Sequence, residues 1–514
     1  MASKKTKEIW EFGDFQTPCE LAHLATKVVS KLSFKPLSIV EPTCGRGAFL
    51  LSALDIFHEA KSFVGIDIND FHLDCLQEQI IKKYPNAPVK IFNADFFSFD
   101  WVKFLENLPE PFLILGNPPW VTSSELGMLQ SSNVPEKSNF QAMNGLEALT
   151  GKSNFDISEW MLIKQLEWLK NRNGQIAILC KTAVARKVLN YAWKHDYPLR
   201  TARFYKIDTM KYFGASVDAC FFLMDCAEVN SSFSKNCDIY ETLTDSEPSS
   251  AIGYHDGSVV SDEESYLKSK FLQGADKNYI WRSGVKHDCA KVMELTRSPD
   301  GFINGFGELT HLEGKYVFPL FKSSDIANGH VSNCRKYVLV TQQFIGGNTA
   351  HIKRDAPKTW NYLERNSALL GKRASSIYRD RPPFSIFGVG DYTFTPWKVA
   401  ISGFYKSLDF KVIGSIEDKP AIFDDTIYFL PAWSEEEASF LAEILNSKLA
   451  NEFLTSMIFW SDKRPITIDL LKRLNLHTLA RKLGRENEYQ SFIAMRLIPP
   501  SLEDQPQQVL PFSM

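Results

Sequence analysis

Between residues 37 and 225, short apolar runs alternate with stretches of helical spacing. Leu37-Ser38-Ile39-Val40-Glu41, Ser62-Phe63-Val64-Gly65-Ile66-Asp67, the run from Val89 to Phe97, Leu113-Ile114-Leu115-Gly116 and Gln175-Ile176-Ala177-Ile178-Leu179-Cys180 predict buried strands. The stretch 203–207 and the end of 213–223 predict two more. Leu21, Leu24, Ala25, Val28 and Val29 recur at helical spacing, and residues 71–83, 157–170 and 184–193 also read as helices. Regular alternation of strand and helix predicts an α/β fold. Its sheet is expected to be mainly parallel and Rossmann-like, with helices on both faces.

The pattern changes after residue 226. Residues 227–265 are rich in Ser, Asp and Glu and predict a linker or exposed loops. Residues 266–514 have a mixed α+β texture, with one amphipathic helix expected over 435–453 and another over 466–476. Three regions are therefore expected, 1–226, 227–265 and 266–514. In the last, aromatic and basic residues interleave. Residues 331–400 hold eleven Lys/Arg against four Asp/Glu, in a chain whose net charge is −3. A local basic surface laced with aromatics is the footprint of nucleic acid. Arg335, Lys336, Lys353, Arg354, Lys372, Arg373, Arg379 and Arg381 are the candidate contacts; a solvated basic face is the plain alternative.

With 514 residues, 44% apolar and 23% charged, the chain has the composition of a globular protein of two or three domains. Nine cysteines without a CxxC pair predict neither a zinc ribbon nor a disulfide framework, and no metal site is expected. The polar start Met1–Glu8 and the lack of a long apolar run predict no membrane segment and a cytoplasmic location.

Candidate chemistry collects at the strand ends. Glu41-Pro42-Thr43-Cys44-Gly45-Arg46-Gly47 joins a strand to a helix, and its glycines let the backbone approach a ligand. Glu41 would repel a pyrophosphate there but suits an ammonium. Asp67 follows Gly47 by twenty positions, where an acid meets ribose hydroxyls. Asp95 can accept from an exocyclic adenine amine while Phe96 packs on a purine. Asn117-Pro118-Pro119-Trp120 adds an amide, carbonyls held rigid by two prolines, and an indole on which a flat ring can stack. Thr17 before Pro18 reads as a helix N-cap.

This ordered set, from Thr17-Pro18 to Asn117-Pro118-Pro119-Trp120, resembles the gamma-class N6-adenine DNA methyltransferases of restriction–modification systems. The resemblance implies a catalytic domain dependent on S-adenosylmethionine, covering about residues 12–225. It also implies a C-terminal target-recognition domain acting on double-stranded DNA. By it, Glu41, Cys44, Gly45, Gly47, Asp67, Asp95, Phe96 and Thr17 bind the cofactor. Asn117, Pro118 and Pro119 act at the target amine, and Trp120 and Phe213 hold the flipped base. Asn154 and Asp156 lie in a segment like one of the family's, without a derivable role. Trp120 stands where Tyr is commoner. A separate restriction endonuclease with the same target is an implied partner.

Several alternatives remain. Similar chemistry methylates cytosine N4, a glutamine amide or RNA. A silent DNA-binding specificity subunit would need none of the strand-end residues. Pro299-Asp300 with Glu313-Gly314-Lys315 satisfies the permissive PD…ExK nuclease pattern of a bifunctional enzyme. The chain does not reveal the recognition sequence or the oligomeric state.

Overall fold

Runs that are apolar at every position need cover on both faces of the sheet they form. A computed structural model describes residues 16–121, 156–226 and 233–497. It divides the chain into two units, Met1–Glu263 and Glu264–Met514. In the first, the runs become β1 (Ser38–Glu41), β2 (Ser62–Asp67), β3 (Val89–Asn93), β4 (Phe112–Gly116), β5 (Gly174–Lys181), β6 (Leu199–Ile207) and β7 (Ala219–Cys226). Every residue of β1 and β4 is buried. β1 to β5 pair in parallel, and β7 lies antiparallel between β5 and β6.

Among the described residues these strands are flanked by α1 (Cys19–Ser30), α2 (Ala48–Ile56), α3 (Asp70–Lys83), α4 (Trp101–Leu105), α5 (Ile157–Trp168), α6 (Thr182–Lys194) and α7 (Thr209–Phe213). Leu21 and Val29 of α1, Phe49 and Leu50 of α2 and Leu76 of α3 share a core with Ile39, Leu113 and Leu115 of the sheet. The alternate residues Val40, Val64, Ile114 and Ile178 are buried as well. α5 and α6 pack on β5.

The stretch 227–265 departs from the expectation of a linker. It supplies β8 (Asn236–Tyr240), β9 (Ser250–His255) and β10 (Ser258–Val260), which extend the same sheet to ten strands in the order β10-β9-β8-β6-β7-β5-β4-β1-β2-β3. Cys237, Tyr240, Ile252 and Val260 are buried while many of their neighbours are not. A strand with one wet face needs only alternate apolar residues, so polar composition does not exclude it. β3 is also shorter than expected and stops at Asn93. Asp95 instead begins a turn in which its carbonyl accepts from the N–H groups of Ser98 and Phe99.

The second unit holds two sheets. One has the order β14-β13-β12-β16-β15-β19, built from Leu309–Thr310, Gly301–Ile303, Glu294–Ser298, Lys336–Leu339, Val317–Phe321 and Ile422–Phe423. The other, β11-β20-β17-β18, uses Arg282–Ser283, Ile427–Ala432, Trp397–Ser402 and Lys411–Ile413. The single helix expected over 435–453 is two, Glu435–Leu445 and Lys448–Thr455. Asn446 ends the first by pairing its side chain with the N–H and carbonyl of Phe410, both at 2.9 Å. Ser447 caps the second through Ala450 N. The helix expected over 466–476 is likewise split, into Ile468–Leu471 and Leu476–Lys482. Among the described residues no helix is long and apolar enough to cross a membrane.

Candidate active site

From β1 the chain runs outward to β2 and β3, whereas β4 pairs on the other side of β1. Such a reversal opens a crevice at the carboxyl ends of β1 and β4, and both strands end there in candidate residues. Glu41 closes β1. Its Oε2 accepts from Leu50 N at 2.9 Å, so the carboxylate sits against the first turn of α2. Burial holds its pKa well above the ordinary carboxylate range; the Leu50 N–H opposes this and the Asp67 charge adds to it. A cationic group placed beside it would favour the charged form and oppose that shift. Gly116 permits the close approach of β4, because a Cβ there would lie 3.2 Å from Glu41 Cγ.

The turn after β1 is fixed from beneath. Gly45 N donates to Asp67 Oδ2 at 2.8 Å, and Asp67 Oδ1 accepts from Asn69 N at 2.9 Å. Gly47 stands at φ +77°, where a Cβ would also overlap Leu76 Cδ1 at 2.3 Å. Glu41, Gly45, Gly47 and Asp67 are thus joined by hydrogen bonds and shared turns. Asp95 Oδ1 accepts from Phe97 N at 2.9 Å.

Asn117 follows β4 and is tied to the start of α1, since its Nδ2 donates to Thr17 Oγ1 at 3.1 Å. Thr17 is therefore not the expected cap; the cap position is Pro18, with no side-chain bond to the helix. With Nδ2 engaged, Asn117 Oδ1 is buried without a hydrogen-bond partner. Pro118 is buried and Pro119 half-buried. The Trp120 and Phe213 rings touch, with centroids 5.7 Å apart and planes 56° apart.

Two residues at the same edge gained no role from the sequence. Lys181, the last residue of β5, donates to the Trp120 carbonyl at 3.0 Å and to Asp156 Oδ2 at 2.7 Å. Asp156 caps α5 by accepting from Ser158 N at 3.1 Å. Lys181 and Asp156 thereby fix the backbone beside the indole, whose Nε1 donates to Leu179 O at 3.4 Å. A lysine closing an apolar strand was the available signal. Asn154 lies outside the described residues.

Other assignments change. Phe96 is buried in an aromatic cluster with Trp101 and Trp168, at centroid distances of 5.5 and 5.4 Å. Its ring is a packing element rather than an open face for a purine. Ile68, directly after Asp67, is 48% exposed. The Cys44 side chain is buried against Gly65, and burial pushes its thiol pKa up, so only its backbone is available to a ligand. In the second unit, Arg373 donates from Nε to the Leu370 carbonyl and from Nη1 to those of Ser385 and His287, and lies 3.6 Å from the Tyr378 ring centre. These bonds give it a structural role. Arg335 is bound to buried Asp325, Arg354 to Asp355 and Lys336 to Thr296. Lys353, Lys372, Arg379 and Arg381 stay exposed. Both oxygens of Glu313 bind the backbone at Lys358 and Thr359, starting the helix Pro357–Arg365, which leaves the nuclease pattern without a free acid there. Among the described residues no cluster of acids, His or Cys could hold a metal.

Strands in the order β3-β2-β1-β4-β5-β7-β6 with β7 reversed, a glycine turn after β1 and acids ending β1 and β2 define a class I S-adenosylmethionine-dependent methyltransferase. Comparison with known proteins narrows this. The N-6 DNA methylase family matches residues 1–187. The type II methyltransferase M.NspV of Nostoc sp. (strain ATCC 29411 / PCC 7524) is 46% identical over 479 residues, 93% of this chain and 98% of that protein. The chain belongs to the N6-adenine DNA methyltransferases of restriction–modification systems. A solved structure of the type IIL restriction–modification enzyme MmeI in complex with DNA shares the fold, with TM-score 0.52 and 16% identity over 96% of this chain and 69% of that one. The methyl donor is S-adenosylmethionine, and the acceptor is the N6 amine of adenine in DNA.

Proposed function

We propose that Asn117 Oδ1 and the Pro118 carbonyl are the acceptors that make the adenine amine a nucleophile. The buried, unpartnered Asn117 Oδ1 carries this reading, because such an acceptor is costly unless a ligand donor completes it. The amine's lone pair is delocalised into the ring. Two acceptors on its protons draw the nitrogen toward tetrahedral geometry and localise that pair. No strong base is required, which suits an amide. Trp120 and Phe213 hold the extruded base between them. Two contacts of about 3.5 Å require the rings to stand about 7 Å apart, so they separate as the base enters. Glu41 takes the cofactor's ammonium, Gly45 and Gly47 line its turn, Asp67 takes the ribose hydroxyls and Asp95 the adenine amine. The bound cofactor supplies the sulfonium methyl group. Positioning contributes most of the rate.

The second unit, with Lys353, Lys372, Arg379 and Arg381 among its exposed cations, selects the DNA sequence. Methylation there protects cytoplasmic DNA from a cognate endonuclease. Expression in a methylation-deficient host, with modified bases read directly, tests target and context together. Asn117→Ala and Trp120→Ala should lose transfer by roughly 10²–10³-fold while still binding S-adenosylmethionine, whereas Asp67→Ala should weaken cofactor binding first. Normal turnover in Asn117→Ala would overturn the assignment.

A further inference from the structure

The second unit also carries an exposed apolar tip on a buried polar frame. Phe344 and Ile345 are 62% and 46% exposed, between the strand Lys336–Leu339 and the short helix Ile352–Asp355. Beneath them, Thr341, Gln342 and Thr349 are each no more than 1% exposed. Thr341 Oγ1 donates to Phe384 O at 2.7 Å, and Thr349 Oγ1 donates to Pro383 O at 2.7 Å. Gln342 accepts from Ile386 N at 2.9 Å and donates to the Gly347 carbonyl. The loop is thus bolted at both ends to residues 383–386. Phe384 sits at φ +62°, a conformation that side chains with a Cβ disfavour. Gly346, at φ +82°, turns the tip, and a Cβ there would lie 3.4 Å from Arg381 Nη1. The guanidinium of Arg381 therefore stands beside the turn at Gly346, the residue that follows Phe344 and Ile345.

A satisfied buried network with one strained residue is a costly way to hold a loop, and strain of this kind gathers at ligand clamps. Here it holds a turn that carries two exposed apolar side chains, with a cation against its glycine. Duplex DNA answers both features. An apolar wedge partly unstacks a base step, and a neighbouring guanidinium takes a phosphate. Residues 331–400 carry eleven Lys/Arg against four Asp/Glu, and one of those acids, Asp355, is already paired with Arg354 and Lys315.

We propose that Phe344 and Ile345 form a wedge that enters the base stack of duplex DNA, with Arg381 on an adjacent phosphate. The proposal rests on the reading that the second unit engages the target DNA. It is tested with the full-length protein and a short fluorescent duplex containing the site that the wild type methylates. The double variant Phe344→Ala/Ile345→Ala is expected to weaken duplex binding by about tenfold or more. Its salt dependence should be unchanged, because no charge is removed. Phe344→Leu keeps an apolar tip and retains binding, which separates loss of the wedge from loss of fold. Arg381→Ala lowers the slope of log affinity against log salt by about one. S-adenosylmethionine binding stays at the wild-type level in all three. Wild-type duplex affinity in the double variant overturns the proposal, as it would if the tip docked a protein instead. Equal loss in Phe344→Leu and the double variant overturns it too. Unchanged salt slopes in Arg381→Ala and in Lys353→Ala, Lys372→Ala and Arg379→Ala alike would overturn instead the reading that the second unit engages DNA.

Discussion

The two units treat their functional residues differently. In the first, Glu41, Asp67 and Asn117 follow apolar strands whose burial fixes where each chain end emerges. Neighbouring backbone then trims each group: Leu50 N on Glu41, Gly45 N on Asp67. In the second unit the candidates are long cations of a basic run, and the fold sets several residues of that run to other tasks. Arg373 becomes a strut between carbonyls and Arg335 a partner of buried Asp325, while Lys398 is buried outright with its Nζ on the Thr395 carbonyl. A short side chain at a strand end has one place to be. A cation on a flexible stem takes whichever acceptor packing brings within reach, so its presence in a basic run does not declare its role.

The largest test of this contrast is Gly47→Ala. A positive φ costs a residue with a Cβ about 1–2 kcal/mol, and the overlap with Leu76 adds a penalty of about 1–3 kcal/mol. Lowered unfolding free energy together with lost cofactor binding is the expected result, measured by denaturant titration and calorimetry.

Next comes a pair inside the second unit. Arg373→Ala removes side-chain donors from three carbonyls and should cost about 2–3 kcal/mol. Arg379→Ala should leave the unfolding midpoint alone and lower the salt slope of DNA binding by about one. Equal effects of the two on stability would erase the distinction between strut and contact.

Lys181→Met unpairs the buried Asp156 and removes the donor on the Trp120 carbonyl. With the lysine partly exposed, a loss of about 1–3 kcal/mol is expected. Single-turnover transfer should fall further than cofactor affinity.

Per pH unit, the smallest effect is a stability slope. Burial pushes the Lys398 pKa down to about 7. The unfolded chain therefore binds the extra proton between that value and the ordinary lysine range, and stability rises with pH across this window. The slope reaches at most about 1.4 kcal/mol per pH unit. Lys398→Met should gain stability over the wild type near neutral pH, and the advantage should shrink as pH rises. A difference independent of pH would mean that the buried lysine is charged.

Much of the first unit was legible because burial on both faces of a parallel sheet writes continuous apolar runs into the chain. The strands β1, β2, β4 and β5 and the placement of Glu41, Asp67 and Asn117 follow from that. Strands β8 to β10, at one end of the sheet, escaped, since most of their residues are only partly buried and their composition mimics a loop. The break at Asn446–Ser447 escaped because the apolar spacing continues through it, while Asn446 turns to a distant partner, Phe410.

By itself the sequence determined which side chains stand at the strand ends, because strand length and burial are local properties of the chain. Only the tertiary structure decided their partners. The Asn117 amide is oriented by Thr17 at a separation of 100 residues, and Trp120 is braced by Lys181 at 61. Phe96 is taken into a core of tryptophans, and Arg373 is drawn inward while Arg381 is left beside an exposed tip. Hydrogen bonds and packing between distant residues depend on geometry that no local pattern encodes. Identity at a position sets the available chemistry, and the fold sets which of it is used.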